Sequence, residues 1–358
     1  MRIIIAGGGT GGHLFPGIAI AEEFIRRDST NRILFIGTER GVETKILKTL
    51  GFNLRTLTVE GIKGKGIIET MKALLKIPGS LFQSYLVIRD FSPDIVIGVG
   101  GYASGPAVLM ASILGIKTAI TEQNALPGIT NRILGKFVER IFLTFSETQK
   151  WFPRGKIMVT GNPIRSSFFS RKREPEREED KFTLLIFGGS QGAHSINMAV
   201  LEALPFLSDI KEKLKMIHQT GERDYEYVSK RYESSGMDAQ VLPFIMDMAH
   251  AYGCADLLIC RAGATSLAEI TASGKASVLI PFPHAVNDHQ TKNAETLVKE
   301  EAAAMIPEAE LHGEKLADTI KHYYHHPELI RKMEQKSARL GNVNAAVEIV
   351  DACITLTG

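Results

Sequence analysis

The chain is short of the features that would tie it to an oxidising compartment, a membrane interior, a metal or a nucleic acid. Its three cysteines, Cys254, Cys260 and Cys353, form no CxxC pair and no metal-ligand spacing. That argues against a disulfide framework or a zinc site and suits a reducing cytoplasm. No run approaches the about 20 uninterrupted apolar residues that would span a bilayer. The apolar stretch at the N-terminus ends in glycines after a few residues, too early for a secretory signal. Net charge is nearly absent: 42 Lys and Arg against 40 Asp and Glu leave +2, so no overall field favours nucleic acid. A Walker-type P-loop is missing as well, because no Gly-Lys-Ser/Thr follows the first glycine cluster. No metal and no cofactor are expected, and a soluble cytoplasmic protein is the baseline.

What remains is an ordinary globular composition, 44% apolar and 23% charged, in a chain of 358 residues. That length exceeds one core and suggests two domains. Short β-branched runs alternate with helical patterns, the signature of a parallel sheet covered by helices. In the first half the strands read "RIIIA", "RILFIG", "LRTLTV", "DIVIGV", "KTAIT", "RIFLTF" and "KIMVT". Helical patterns cover about 14–27, 41–50, 67–90, 105–115, 129–137 and 146–152. The charged stretch "SRKREPEREEDK" then reads as a solvated linker or loop. After it the pattern restarts with "KFTLLIF" and "GGSQGAHSIN", followed by strands "LKMIHQ", "AQVLPF", "DLLICR" and "SVLIPF". Gly7 and Gly188 therefore head two similar α/β units, and two Rossmann-like halves facing a cleft are expected. The expected division is 1–162 and 163–342, with a last helix at about 343–358 returning to the first domain.

"GGGTGGH" at 7–13 satisfies GxGxxG, a weak signal by itself that fits a tight βα turn equally well. A dinucleotide reading asks for an acidic residue after the second strand. Glu39 qualifies, although it lies beyond the expected spacing of about 20; a nicotinamide oxidoreductase therefore stays open. Repetition weighs against it. "GGYASGP" at 100–106 and "GGSQGA" at 188–193 are further glycine turns, each feeding a helix N-terminus, where unpaired amides favour anions. One dinucleotide does not explain loops in both halves, whereas two phosphorylated ligands would.

In the second half "RAGATSLAE" follows strand "DLLIC" and places Glu269 in the first turns of a helix. A carboxylate there can accept from both vicinal hydroxyls of a ribose, or simply favour its helix N-terminus. In "PFPHAVNDHQTKNA", Asn287 or Asp288 reads as a helix N-cap. Gln290 and Asn293 share a helix face and suit sugar hydroxyls. "TEQNALPG" puts Asn124 at the carboxyl edge of the first sheet, as a polar contact or as turn chemistry. Arg165 in "GNPIR" sits at the inter-domain crossing, where it could neutralise a diphosphate or lie on the surface.

Together "GGGTGGHLFPG", "GGYASGP", "EQNALPGITNR", "GNPIR", "GGSQGAHSIN", "RAGATSLAEI" and "NDHQTKNA" closely resemble the MurG family over nearly the whole chain. Its members transfer N-acetylglucosamine (GlcNAc) from UDP-GlcNAc to undecaprenyl-diphosphate-linked muramyl-pentapeptide (lipid I), giving lipid II for peptidoglycan. The resemblance implies a GT-B fold and inverting transfer to the muramyl 4-hydroxyl. It implies donor contacts at Ser190 for phosphate, the Ile245 backbone for uracil, and Ala264, Thr265, Ser266, Leu267 and Ala268 for phosphate and ribose. Glu269 would hold the ribose hydroxyls, and Gln290 the sugar, joined by Asn124 and by Thr10, Gly11 and Gly12. Arg165 would assist the diphosphate. Gly9, Gly12, Gly101, Ser104 and Gly105 would face the acceptor's diphosphate. Some members carry His immediately before "EQN" where this chain has Thr121, so a proton-transfer role at that position is not carried over.

A single displacement needs a base for the attacking hydroxyl. His13 is the candidate, since imidazole titrates near the working pH; the alternative is that it only binds substrate or orients its loop. A lipid-anchored acceptor also requires docking at the inner face of the cell membrane. Residues 62–90 combine Lys63, Lys65, Lys72 and Lys76 with Ile67, Ile68, Leu74, Leu75, Leu81 and Phe82, a basic amphipathic stretch suited to an anionic surface. The same pattern also serves a helix that covers a Rossmann sheet. Competing functions are a UDP-sugar epimerase or glycolipid glycosyltransferase of the same architecture, the oxidoreductase, and a non-catalytic nucleotide binder.

Overall fold

Five of the seven strands of the first half are buried on both faces, which is why they read as continuous apolar runs rather than alternating ones. The computed structural model describes residues 1–8, 11–38, 43–59, 76–168, 180–189, 191–285 and 288–358. It divides into two compact units, Met1–Ser166 with Val343–Gly358, and Ser167–Asn342. The first unit holds β1 (Arg2–Ala6), β2 (Arg32–Thr38), β3 (Asn53–Leu57), β4 (Ile95–Gly98), β5 (Lys117–Glu122), β6 (Arg140–Leu143) and β7 (Ile157–Val159). They pair in the order β3-β2-β1-β4-β5-β6-β7, all parallel. The second unit holds β8 (Phe182–Phe187), β9 (Leu214–Gln219), β10 (Ala239–Leu242), β11 (Leu257–Cys260), β12 (Ser277–Leu279) and β13 (Ala304–Met305). Their order is β10-β9-β8-β11-β12-β13, again all parallel.

In each sheet the chain winds outward from its first strand in one direction and then in the other. The reversal falls between β1 and β4 in the first unit and between β8 and β11 in the second. A crevice opens at such a point, beyond the carboxyl ends of the strands. The glycine turns after β1, β4 and β8 all sit there. The expected strands are present, and β13, only two residues long, is one the sequence pattern did not reveal. The stretch 146–152 forms a 3-10 helix, Ser146–Trp151, rather than an α-helix.

Helices cover both faces of each sheet. In the first unit, helix Gly11–Arg27 buries Leu14, Ile18, Ile20 and Phe24 against Ile3, Ile5 and Phe35. The closing helix, Ala345–Thr357, belongs to this unit, adding Ile349, Val350 and Cys353 to the same core. Each such side chain contributes about 1.5–3 kcal/mol on full burial. An Arg27–Asp351 ion pair of 2.7 Å pins the closing helix to the first one. Burial also pushes the Cys353 thiol up to about 12, so it acts as a small apolar side chain. Among the described residues no helix is long and apolar enough to cross a membrane, and no cluster of His, Cys, Asp and Glu could hold a metal ion.

Candidate active site

In the first unit the two glycine turns interlock. Gly100 and Gly101 have φ of +93° and +81°, and a Cβ on Gly101 would run into the Gly8 carbonyl. A Cβ on Gly100 would lie 2.5 Å from Nδ1 of His13. The glycines thus let the β4 turn close over the β1 turn, with the His13 imidazole seated directly against the Gly100 backbone. Ser104 has no exposed surface, and its hydroxyl donates to the Gly101 carbonyl at 2.9 Å, so it shapes this turn. Gly105 lies close to Thr130, where a Cβ would meet its methyl at 3.3 Å. Gly11, Gly12 and His13 form the first turn of helix Gly11–Arg27, and Phe15 on that helix carries the Arg165 guanidinium 4.3 Å above its ring. Arg165 therefore belongs with the His13 turn. Gly9, Thr10 and Glu39 lie outside the described residues.

Asn124 is held by a residue that belongs to no recognisable motif. Glu122, at the end of β5, is buried and accepts from the Asn124 and Gly128 backbone amides at 3.0 Å each and from the Asn131 side chain at 2.9 Å. Desolvation raises its carboxyl above the usual range despite these bonds. Gln123 beside it donates to the Val99 carbonyl at 3.1 Å and to the Thr121 hydroxyl at 2.7 Å, tying this loop to the strand that carries the Gly100 turn.

In the second unit the interlock recurs. Gly192 and Gly221 have φ of +76° and +80°, and each packs against the other's loop where any Cβ would overlap a carbonyl. A cavity of about 460 Å³ opens beside this turn, lined by Gly188, Gly192, His194, Arg261, Gln290 and Glu308, among others. The Arg261 guanidinium is buried, and both of its terminal nitrogens are engaged. It donates to the Ile280 and Pro281 carbonyls at 3.2 Å, donates to the Ser195 hydroxyl at 2.8 Å, and pairs with Glu308. One side chain thus ties the ends of β11 and β12 to helix His194–Ala203 and to Glu308, and it is a scaffold for the cavity. Gln290 lines the cavity while its Oε1 accepts from the Phe282 amide at 3.0 Å. Asn293, which shares its face, has no exposed surface and donates to the Ala262 carbonyl at 3.4 Å. It supports the 261–263 turn and is not a sugar contact. Asp288 is the N-cap residue of helix His289–Lys299, with φ +53° and its carboxylate on the Thr291 hydroxyl; Asn287 lies outside the described residues.

Helix Ala264–Ala272 begins at the crevice, and Glu269 is buried in its second turn. Ala264, Thr265 and Leu267 are buried too, Leu267 within the apolar core, while Ser266 and Ala268 are partly exposed. Ile245 borders a second cavity of about 380 Å³ with Met246, Asp247 and His250. Its backbone N–H is taken by Oε1 of Gln219 at 2.9 Å, and Nε2 of Gln219 donates to the Gly189 carbonyl at 2.7 Å. Gln219, invisible to motif reading, latches the Ile245 segment to the glycine turn. Ser190 lies outside the described residues.

Comparisons with known proteins follow this geometry closely. Residues 3–143 match the glycosyltransferase family 28 N-terminal domain, and residues 183–350 match the family 28 C-terminal domain. The chain is 62% identical, over 99% of both chains, to the UDP-N-acetylglucosamine--N-acetylmuramyl-(pentapeptide) pyrophosphoryl-undecaprenol N-acetylglucosamine transferase of Syntrophus aciditrophicus. It is 49% identical to the enzyme of the same name from Myxococcus xanthus, over 99% of this chain and 93% of that one. Among solved structures it resembles Acinetobacter baumannii MurG with a TM-score of 0.76 and 32% identity over 99% of both chains. A UDP-GlcNAc 2-epimerase from Neisseria meningitidis shares the fold alone, with a TM-score of 0.68 at 13% identity. The two parallel-sheet units are those of the GT-B architecture, and the dehydrogenase expectation built on Gly7, Gly12 and Glu39 gives way. The chain is a glycosyltransferase of family 28, and within it belongs to the MurG family.

Proposed function

We propose that this enzyme transfers GlcNAc from UDP-GlcNAc to the 4-hydroxyl of the muramyl sugar of lipid I, with inversion, to give lipid II. The observation that carries this reading is the seat of His13 against Gly100, where the two interlocked glycine turns of the first unit meet. The first unit would take the acceptor. Its turns, with Gly9, Gly12, Gly101, Ser104 and Gly105, would admit the lipid-linked diphosphate to backbone amides. The second unit would take the donor. Ser190 and 264–268 would hold phosphate and ribose, Glu269 the ribose hydroxyls, Gln290 the sugar, and Ile245 the uracil. Because Gln219 occupies the Ile245 N–H, the group that Ile245 offers uracil is its carbonyl, a match for the N3–H donor. Asn124, Thr10, Gly11 and Arg165 would complete the donor contacts from the first unit.

The chemistry is then one displacement. The acceptor oxygen bonds to the anomeric carbon of GlcNAc as its proton passes to the His13 imidazole, and the bond from that carbon to UDP breaks with the electron pair leaving on the diphosphate. Arg165, stacked on Phe15 near His13, would neutralise the departing charge. No step calls on a metal or cofactor.

Access to a lipid-anchored acceptor needs contact with the inner face of the cell membrane. Helix Ile77–Phe91 exposes Phe82 (61%) and Leu86 (50%) one turn apart, close in sequence to Lys76. Lys63, Lys65, Lys72, Ile67, Ile68, Leu74 and Leu75 lie outside the described residues. A surface of this kind suits an anionic interface. Changing Lys72 and Lys76 to Glu should cut flotation with anionic vesicles, and unchanged flotation would count against this patch. Incubation with UDP-GlcNAc and a soluble lipid I analogue tests the reaction. The expected products are UDP and a GlcNAc–muramyl disaccharide in equal amounts; UDP release or sugar epimerisation without acceptor glycosylation would refute it.

A further inference from the structure

A chain of polar side chains runs through the second unit and ends in the cavity beside the Gly192 turn. At its buried end, His218 contacts the Tyr232 hydroxyl through Nδ1 at 3.1 Å and the Asn197 Oδ1 through Nε2 at 3.0 Å. Burial drives the His218 pKa down to about 3, so the ring is neutral. The partners fix its tautomer: Asn197 Oδ1 can only accept, so Nε2 carries the hydrogen and Nδ1 accepts from Tyr232. Asn197 passes the polarity on, its Nδ2 donating to Asp224 at 2.8 Å. Burial works to raise the Asp224 pKa, but the bonds from Asn197 and His194 outweigh it and keep the carboxylate ionised. His194 Nδ1 lies 3.0 and 3.1 Å from the two Asp224 oxygens. An ionised carboxylate only accepts, so Nδ1 of His194 carries hydrogen in every protonation state.

The consequence lies at the other nitrogen. His194 lines the cavity and remains 57% exposed there. With Nδ1 committed to Asp224, the neutral ring presents Nε2 as an acceptor, and only the imidazolium presents it as a donor. We propose that His194 binds the donor's diphosphate as an imidazolium, donating from Nε2 to a phosphate oxygen, with Asp224 as the carboxylate that orients it. This rests on the reading that the second unit holds UDP-GlcNAc. The other charged side chains that line this cavity are Arg261 and Glu308, which pair with each other.

UDP-GlcNAc is the right probe, because its diphosphate, esterified at both ends, carries two negative charges and no group that titrates as a phosphate monoester does. The measurement is calorimetric Kd for the wild type, His194→Ala and His194→Arg. His194→Ala should bind about tenfold more weakly. His194→Arg should recover most of the affinity, since it keeps a charged donor. Melting temperatures close to the wild type should accompany both variants, as His194 is on the surface of the cavity. Equal affinity of wild type and His194→Ala, or a loss in His194→Arg as large as in His194→Ala, would overturn the proposal while leaving the donor reading intact. Failure of the wild type to bind UDP-GlcNAc would instead refute the donor reading.

Discussion

Each unit keeps a buried carboxylate close behind its glycine turns, and the two are built on opposite logic. Glu122 ends β5 and is surrounded by amide donors alone: two backbone N–H groups and the side chains of Asn124 and Asn131. Desolvation wins, and its pKa rises. Asp224 follows β9 and receives, besides Asn197, a histidine that itself borders a cavity; its pKa falls. Glu122 follows the reversal in its sheet and Asp224 precedes it; the first braces a loop and the second holds a histidine of the cavity. What decides is depth: desolvation outweighs the amide bonds at the more deeply buried Glu122, whereas the bonds from Asn197 and His194 prevail at Asp224.

The largest effect should separate the units by catalysis. His13→Ala should lower kcat about 10²- to 10⁴-fold, the usual range for a general base. A kcat within a few-fold of wild type would leave His13 a binding or loop residue.

Next in size are the interlocks. Gly101→Ala and Gly192→Ala combine a left-handed backbone with a Cβ that overlaps a carbonyl, and each should cost about 3 kcal/mol or more in a denaturant melt. Gly189 has the same sign of φ (+93°) but open space around its Cβ, so Gly189→Ala should cost only about 1 kcal/mol. Equal losses at Gly189 and Gly192 would mean that backbone strain alone, not loop contact, sets these positions.

The smallest effect is the pH slope of stability, and its sign differs between the units. Glu122 has a folded pKa above its ordinary 4.5, so its contribution is complete below that value and is lost as pH rises through the folded pKa. Asp224 has a folded pKa below its ordinary 3.8, so its contribution is complete above that value and is lost as pH falls through the folded pKa. Melting temperatures against pH should therefore lose part of their decline above about pH 4.5 in Glu122→Gln. In Asp224→Asn they should lose part of their decline below about pH 4. The same change in both variants would erase the distinction.

Much of this is legible in the sequence. β-branched runs buried on both faces announce themselves, and so do glycine turns at their carboxyl ends. β13 did not, because two residues carry no periodicity. The bracing residues were hidden for another reason: Glu122, Gln123, His218 and Gln219 are polar side chains at the ends of apolar strands, and nothing in their spacing says what they touch. Their signal was available in "KTAITEQ" and "LKMIHQ", where polar residues close a buried strand and must find partners. Which partner each finds depends on segments distant in sequence, such as Ile245 for Gln219 and Asn197 for His218. Asn293 shows the reverse error, since i, i+3 spacing with Gln290 gave a shared face but not which part of that face is buried.

The division of labour between the units is tested most directly by calorimetry of UDP-GlcNAc with one substitution in each. Glu269→Gln in the second unit should weaken donor binding about tenfold, by loss of a charged acceptor for the ribose hydroxyls. His13→Ala in the first unit should leave the affinity within about twofold of wild type. The reverse pattern, with Glu269→Gln silent and His13→Ala impaired, would contradict the account.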